Sequence, residues 1–182
     1  MDSSKKGGGI LMLVVVLGLI TFVCALLLGF TNGVTKDKIE QNGIETRNEA
    51  MSAIIADAES FTDVEVGEEW TAPADKNQPA ISGVYAAEAG GETIAYCVEV
   101  KPKGFGGELT LIVGVNTDGT IAGAKAQSGK NGITRFAGQP ADGSLAVSKD
   151  GGTINAITGS TITSRAVTLG VNTAANCVAS LG

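Results

Sequence analysis

The chain has 182 residues and carries 13 Lys and Arg against 19 Asp and Glu, for a net charge of −6. That balance excludes the basic face that nucleic-acid binding requires, and aromatic residues at 4% leave no stacking platform for single strands. The complete lack of His excludes His-based acid–base catalysis, His metal sites and the Ser-His-Asp triad together.

Residues 10–30 read ILMLVVVLGLITFVCALLLGF, without a charge or a Pro. A helix needs roughly 20 apolar residues to span the hydrocarbon core, so residues 10–31 are assigned as a transmembrane helix. The rival is a cleaved signal peptide, whose basic leader Lys5 and Lys6 would fit. The apolar run exceeds the usual signal length of about 7–15 residues, and the exit Gly29-Phe30-Thr31-Asn32-Gly33 has no Ala-x-Ala site. Lys5 and Lys6 place residues 1–9 on the cytoplasmic side and the body outside. Cys24 reads as a small apolar filler of this helix.

Residues 35–58 put Ile39, Ile44, Met51, Ile54 and Ile55 near helical spacing, which predicts a helix interrupted near Asn42-Gly43. Residues 57–69 hold six acids and no base, a solvated face. Residues 70–79, with Pro73 and Pro79, form a loop. Residues 32–80 are therefore a juxtamembrane helix followed by an acidic loop region.

Beyond Pro79 the period changes to that of strands. Residues 81–88 and 93–100 flank Ala89-Gly90-Gly91, a hairpin signal. Lys103-Gly104-Phe105-Gly106-Gly107 reads as a turn and lacks the spacing of a phosphate-binding P-loop. Residues 109–115 and 120–126 form a second hairpin about the turn at 116–119, and residues 145–147 a last strand. Val167, Val171, Ala174, Ala175, Val178 and Leu181 share one face of a helix over residues 164–181. The fold class is α+β, an antiparallel sheet with helices packed on one side. Without CxxC spacing the three Cys offer no zinc or iron–sulfur ligand set; Cys97 and Cys177 read as buried thiols.

The chemistry concentrates in residues 155–165, where Thr158, Ser160, Thr161 and Thr163 surround Gly159 ahead of the last helix. A helix amino terminus presents unpaired N–H groups and a partial positive charge, which suit a phosphate. Ser and Thr are also good N-caps, so composition leaves an anion site and a capped helix both open.

This run resembles the flavinylation motif of the FMN-binding domain family, Asp-x-x-Ser/Thr-Gly-Ala-Thr. In that family a flavin transferase joins FMN through its phosphate to the hydroxyl of the last Thr, which is Thr161 here. The apolar anchor, Gly104-Phe105-Gly106-Gly107, the hairpin at 113–119, Phe136-Ala137-Gly138 and the Thr161 motif occur in one order. That order resembles the G subunits of the Rnf complex, an ion-translocating ferredoxin:NAD+ oxidoreductase, and is similar to the C subunits of the Na+-pumping NADH:quinone oxidoreductase. Asn155 and Ser160 stand where the family usually has Asp and Ala. Residues 127–133 replace the usual Glu-Thr-Pro-Gly-Leu-Gly, with Gly129, Lys130 and Gly132 in that wall.

The resemblance implies an FMN-binding domain over residues 81–182, with FMN held covalently at Thr161 among Thr158, Gly159, Ser160, Ile162 and Thr163. It implies an electron relay in an oxidoreductase complex, with no catalytic side chain and no metal of its own. It further implies the A, D and E subunits as membrane partners, the D subunit also carrying covalent FMN, and a flavin transferase for maturation. The chain would sit in the cell membrane as a single-pass protein. A membrane-anchored flavoprotein reductase acting alone and a cofactor-free assembly module are the competing functions; the second predicts a colourless protein.

Overall fold

The computed structural model describes residues 4–73, 75, 77–127 and 133–181. It divides into two units, Met1–Glu45 and Thr46–Gly182. Helix α1 runs Ser4–Ile54 and contributes to both. Its stretch Met12–Thr31 has 20 residues and a mean hydropathy of 2.9, with none of it buried, so it is long and apolar enough to cross a membrane. The Thr21 hydroxyl donates to the carbonyls of Leu17 and Gly18, and that of Thr31 to Leu27, at 2.7–3.0 Å. These hydroxyls are thus satisfied inside the helix, as an apolar medium demands.

The predicted break near Asn42-Gly43 does not occur; α1 passes through both residues. A Gly inside a helix costs about 1 kcal/mol relative to Ala, less than the backbone hydrogen bonds lost by ending the helix there. Nothing lies within 4 Å of a Cβ placed on Gly43, so no neighbour forces a kink either.

In the second unit, strands β1 (Ser60–Val64), β2 (Ala80–Ala89), β3 (Glu92–Lys101), β6 (Leu111–Asn116) and β7 (Ile121–Ala126) form one sheet in the order β1-β2-β3-β6-β7. All four pairings are antiparallel. Strands β4 (Lys103–Gly104) and β5 (Gly107–Glu108) form a separate two-residue ribbon, and α2 (Glu68–Thr71) is a single turn. Gly90 and Gly91, at φ 59° and 83°, make the β2–β3 turn, whose handedness only such residues take without strain.

Alternation along each strand divides the core in two. Val98 and Val100 of β3 and Leu111, Val113 and Val115 of β6 face one side, where Val167, Val171, Ala174 and Ala175 of helix α3 (Thr161–Leu181) cover them. A register shift between Ile81 and Gly83 keeps Ile81 and Val84 on that same side. Ala95 and Cys97 of β3 and Ile112 of β6 face the other side, covered by Ala50, Met51 and Ile55. The class is α+β as expected, but the prediction of helices on one side is corrected: both faces are covered, one by α3 and the other by the end of α1. Gly114 makes the second contact possible, since a Cβ there would stand 2.4 Å from Ile54 Cγ2. Arg47 adds a cation–π contact, 4.7 Å from the Tyr85 ring centroid.

Cys97 and Cys177 are both free and fully buried, one in each cluster, so the sheet lies between them. Burial pushes the Cys97 thiol up to about 12 and the Cys177 thiol up to about 11.

Two further expectations change. The acidic stretch contains strand β1, which pairs with β2 from Ser60↔Glu88 to Val64↔Val84. Its charged residues point to solvent, as predicted, but its backbone is sheet. Residues 145–147 form no strand: Val147 makes only an isolated parallel bridge to Ile154. The chain doubles back too soon for a ladder. A Cβ on Gly152 would stand 2.0 Å from the Ala146 carbonyl oxygen, and a 3-10 turn, Ser148–Asp150, fills the interval.

Candidate cofactor site

Helix α3 begins at Thr161, three residues ahead of its predicted start at Ser164. The Ser160 carbonyl accepts the first bond of the helix, from Ser164 N at 2.9 Å. Thr161, Ile162 and Thr163 thus fill the first turn, whose N–H groups have no acceptor within the helix. Just before it Gly159 takes φ 78°, and Ser160 N donates back to Ile157 O at 2.9 Å. A side chain at Gly159 would strain that reversal, which accounts for Gly between the hydroxyl residues.

The hydroxyls that looked equivalent in sequence have separate duties. Ser164 Oγ accepts from Ile157 N at 3.1 Å and donates to Ser160 O at 2.9 Å, which latches the turn to the helix. Thr163 Oγ1 accepts from Phe105 N at 3.3 Å, which ties the β4–β5 ribbon to α3. Gly104 allows that approach, because a Cβ there would lie 3.2 Å from Thr163 Oγ1. Thr161 Oγ1 accepts from Lys149 Nζ at 3.2 Å. Thr158 is exposed on the preceding turn.

These parts enclose an open cleft of about 480 Å³ lined by Phe105, Gly106, Lys149, Gly159, Ser160, Thr161, Ile162 and Thr163. Of the motif residues singled out in sequence, all but Thr158 line it. Phe105 is 83% exposed and Ile162 54%, so the cleft offers apolar surface to an occupant. A pocket of about 50 Å³ adjoins it through Ser160 and Thr163 and is lined by Phe136, Ile154, Ile157 and Val167, too small for a ring system. Arg165 grips Asp150 through Nε at 2.7 Å and Nη2 at 2.5 Å. Those hydrogen bonds hold the Asp150 carboxyl below its usual range.

Lys149, Asp150 and Arg165 carried no assigned role in sequence. Lys149 stands twelve residues before Thr161, and no local spacing marks it. Asn155 is exposed, and its carbonyl accepts from the Arg135 guanidinium. Gly129, Lys130 and Gly132, expected in a second wall, fall at 128–132, outside the described residues.

Residues 104–176 match the FMN-binding domain family, and residues 3–54 match the RnfG N-terminal region. The chain is 35% identical to the G subunit of the Na(+)-translocating ferredoxin:NAD(+) oxidoreductase complex of Acetobacterium woodii, over 86% of this chain and 87% of that one. The chain belongs to the family of Rnf complex G subunits. It is also 30% identical to the G subunit of the proton-translocating ferredoxin:NAD(+) oxidoreductase complex of Clostridium ljungdahlii, over 84% and 83% of the two chains. Against the G subunit of the ion-translocating oxidoreductase complex of Vibrio atlanticus it is 30% identical over 98% and 91%.

As a Rnf G subunit the chain is an electron-transfer component of an oxidoreductase complex, and its domain binds FMN. The Met12–Thr31 stretch fits a membrane anchor in such a complex. Every residue lining the cleft lies inside the FMN-binding match at 104–176. The donor set fits the cofactor: a Lys ammonium and a helix amino terminus suit a phosphate, and exposed apolar side chains suit a flat ring.

Proposed function

We propose that this G subunit carries FMN in phosphoester linkage to Thr161 and relays electrons on the extracytoplasmic face of the membrane. One observation carries the choice of residue. Thr161 and Thr163 both line the cleft, but the hydroxyls of Thr163 and Ser164 are engaged in holding the fold, whereas that of Thr161 faces an ammonium group.

A phosphodiester at Thr161 keeps one negative charge. Lys149 Nζ and the N–H groups of the first turn of α3 supply the opposite charge. Phe105 and Ile162 supply apolar surface for the ring. Attachment requires an activated donor, a phosphoanhydride of FMN such as the flavin dinucleotide. Thr161 Oγ1 bonds to phosphorus as the anhydride P–O bond breaks, the nucleotide leaves with the electron pair, and the hydroxyl proton passes to a base of the flavin transferase. FMN supplies the electron transfer, and the protein supplies position and environment. No side chain of this chain acts as acid or base, in keeping with a sequence that has no His.

Lys5 and Lys6 favour a cytoplasmic amino terminus and an outer location for the body. The resemblance supports the A, D and E subunits as neighbours. The test is intact mass and peptide mapping of the full chain produced with its flavin transferase. The expected result is an increment of FMN less one water on the peptide holding Thr161, lost in Thr161→Ala and kept in Ser160→Ala. A colourless, unmodified wild-type chain would overturn the reading.

A further inference from the structure

We propose that the Asp150–Arg165 ion pair is the positioning element of this site and that it acts through Lys149. The inference rests on attachment at Thr161 and adds residues that the flavinylation motif leaves out.

Two rungs join the same two pieces of backbone. Lys149 and Asp150 are neighbours in the 3-10 turn Ser148–Asp150. Thr161 and Arg165 are four residues apart on α3, hence one above the other on one helix face. The first rung is Lys149 Nζ to Thr161 Oγ1, at 3.2 Å. The second is the bidentate grip of Arg165 on Asp150, at 2.5 and 2.7 Å. A bidentate guanidinium–carboxylate pair fixes orientation as well as distance, whereas a single bond from an ammonium on a four-carbon stem does not.

The turn itself is well tied. Asp150 N donates to Val147 O at 2.8 Å, Gly152 N to Val147 O at 3.1 Å, and Ser148 N to Ile154 O at 2.8 Å. Gly151 closes it at φ 86°. Asn172 of α3 clamps the segment that leads into the turn, its side-chain amide accepting from Leu145 N at 3.1 Å and donating to Leu145 O at 2.7 Å, and the Asp150–Arg165 pair ties the far end of the turn, where Lys149 lies, to the start of α3.

The charges divide the same way. Arg165 is neutralised by Asp150. Among the described residues Lys149 has no carboxylate partner. Lys149 therefore carries the uncompensated positive charge at the cleft, and the pair aims it at the hydroxyl that becomes the phosphoester. Lys149 draws the incoming phosphate; Asp150 and Arg165 touch neither the phosphate nor the hydroxyl.

The experiment measures the rate at which the full chain gains the FMN increment, by intact mass, with the flavin dinucleotide as donor and the flavin transferase as catalyst. The proteins are wild type, Lys149→Met, Arg165→Ala, Lys149→Met with Arg165→Ala, and the exchanged pair Asp150→Arg with Arg165→Asp. Melting temperature is read for each. Lys149→Met is expected to slow modification about tenfold, the loss of one charge-assisted contact. Arg165→Ala is expected to slow it several-fold, and the double variant no more than Lys149→Met alone. The exchanged pair recovers most of the wild-type rate. Additive slowing in the double variant, an unslowed Arg165→Ala, or an exchanged pair that melts like wild type yet stays slow would each overturn the proposal. If wild type itself gains no flavin, attachment at Thr161 falls and this inference with it; additive slowing in a modified wild type removes only the positioning role.

Discussion

Two helical stretches of nearly equal length serve opposite ends in this chain. Met12–Thr31 of α1 has 20 residues, apolar on every side and exposed throughout. Helix α3 has 21 residues, buries Val167, Val171, Ala174 and Cys177, and leaves Leu169 and Asn176 to solvent. Each is about 30 Å long. The first asks for a medium and the second for a partner surface. Overall hydropathy distinguishes the membrane stretch, and periodicity distinguishes the packed one. Helix α3 is held against the sheet, and its amino terminus lines the cleft.

The contrast breaks most severely at the first stretch. Leu17→Arg together with Ile20→Arg should remove membrane retention, each change costing about 2.5–3.5 kcal/mol at the centre of a spanning helix. Alkaline extraction of membranes from the producing cells would release the variant and leave wild type in the pellet. On α3 the largest effect comes from its packing surface: Leu111, fully buried beneath it, should cost about 2–5 kcal/mol when changed to Ala. Urea unfolding of the full chain in detergent checks this.

On the opposite face of the sheet, Gly114→Val should cost about 1–3 kcal/mol through overpacking against Ile54, read by the same unfolding curve. The buried thiols contribute only in alkali. Their folded values, about 12 for Cys97 and about 11 for Cys177, lie above the ordinary 9.0. The unfolded chain therefore loses these protons first, and stability is undiminished below pH 9 and falls as pH rises from there. At pH 8 both should resist alkylation in the folded chain and react after unfolding, as a mass-labelling time course would show. The smallest effect belongs to the outer face of α3: Leu169→Gln, at a position 44% exposed, should change stability by less than about 0.5 kcal/mol.

Much of the fold could be read from the chain because its signals are local. The apolar run at 10–30 needs only composition. Gly90-Gly91 and Asp118-Gly119 mark hairpins through backbone conformations that few residues adopt. The stripe from Val167 to Leu181 is plain at helical period. Strand β1 escaped notice because it lies at the sheet edge, where Ser60, Thr62 and Asp63 are exposed and blur the alternation, and β2 supplies the order. Residues 145–147 looked like a strand from three apolar residues, but a strand requires a neighbour, and the nearest available chain was its own return at Ile154. The second helical layer was missed for a similar reason: Ala50, Met51 and Ile55 show a face, without saying which sheet surface receives it.

The site divides along the same line. Residue order alone identified the hydroxyl-rich segment around Gly159, the helix that follows and the membrane stretch, since each depends on neighbours within a few positions. It could not rank the hydroxyls. Thr163 bonds to the Phe105 ribbon and Thr161 to Lys149 because segments separated by 58 and 12 residues meet there. Nor could it find Lys149, Asp150 and Arg165 as a unit. Ion pairs and close approaches are set by distance in space, and that distance exists only after the sheet has brought the ribbon, the 3-10 turn and the start of α3 together.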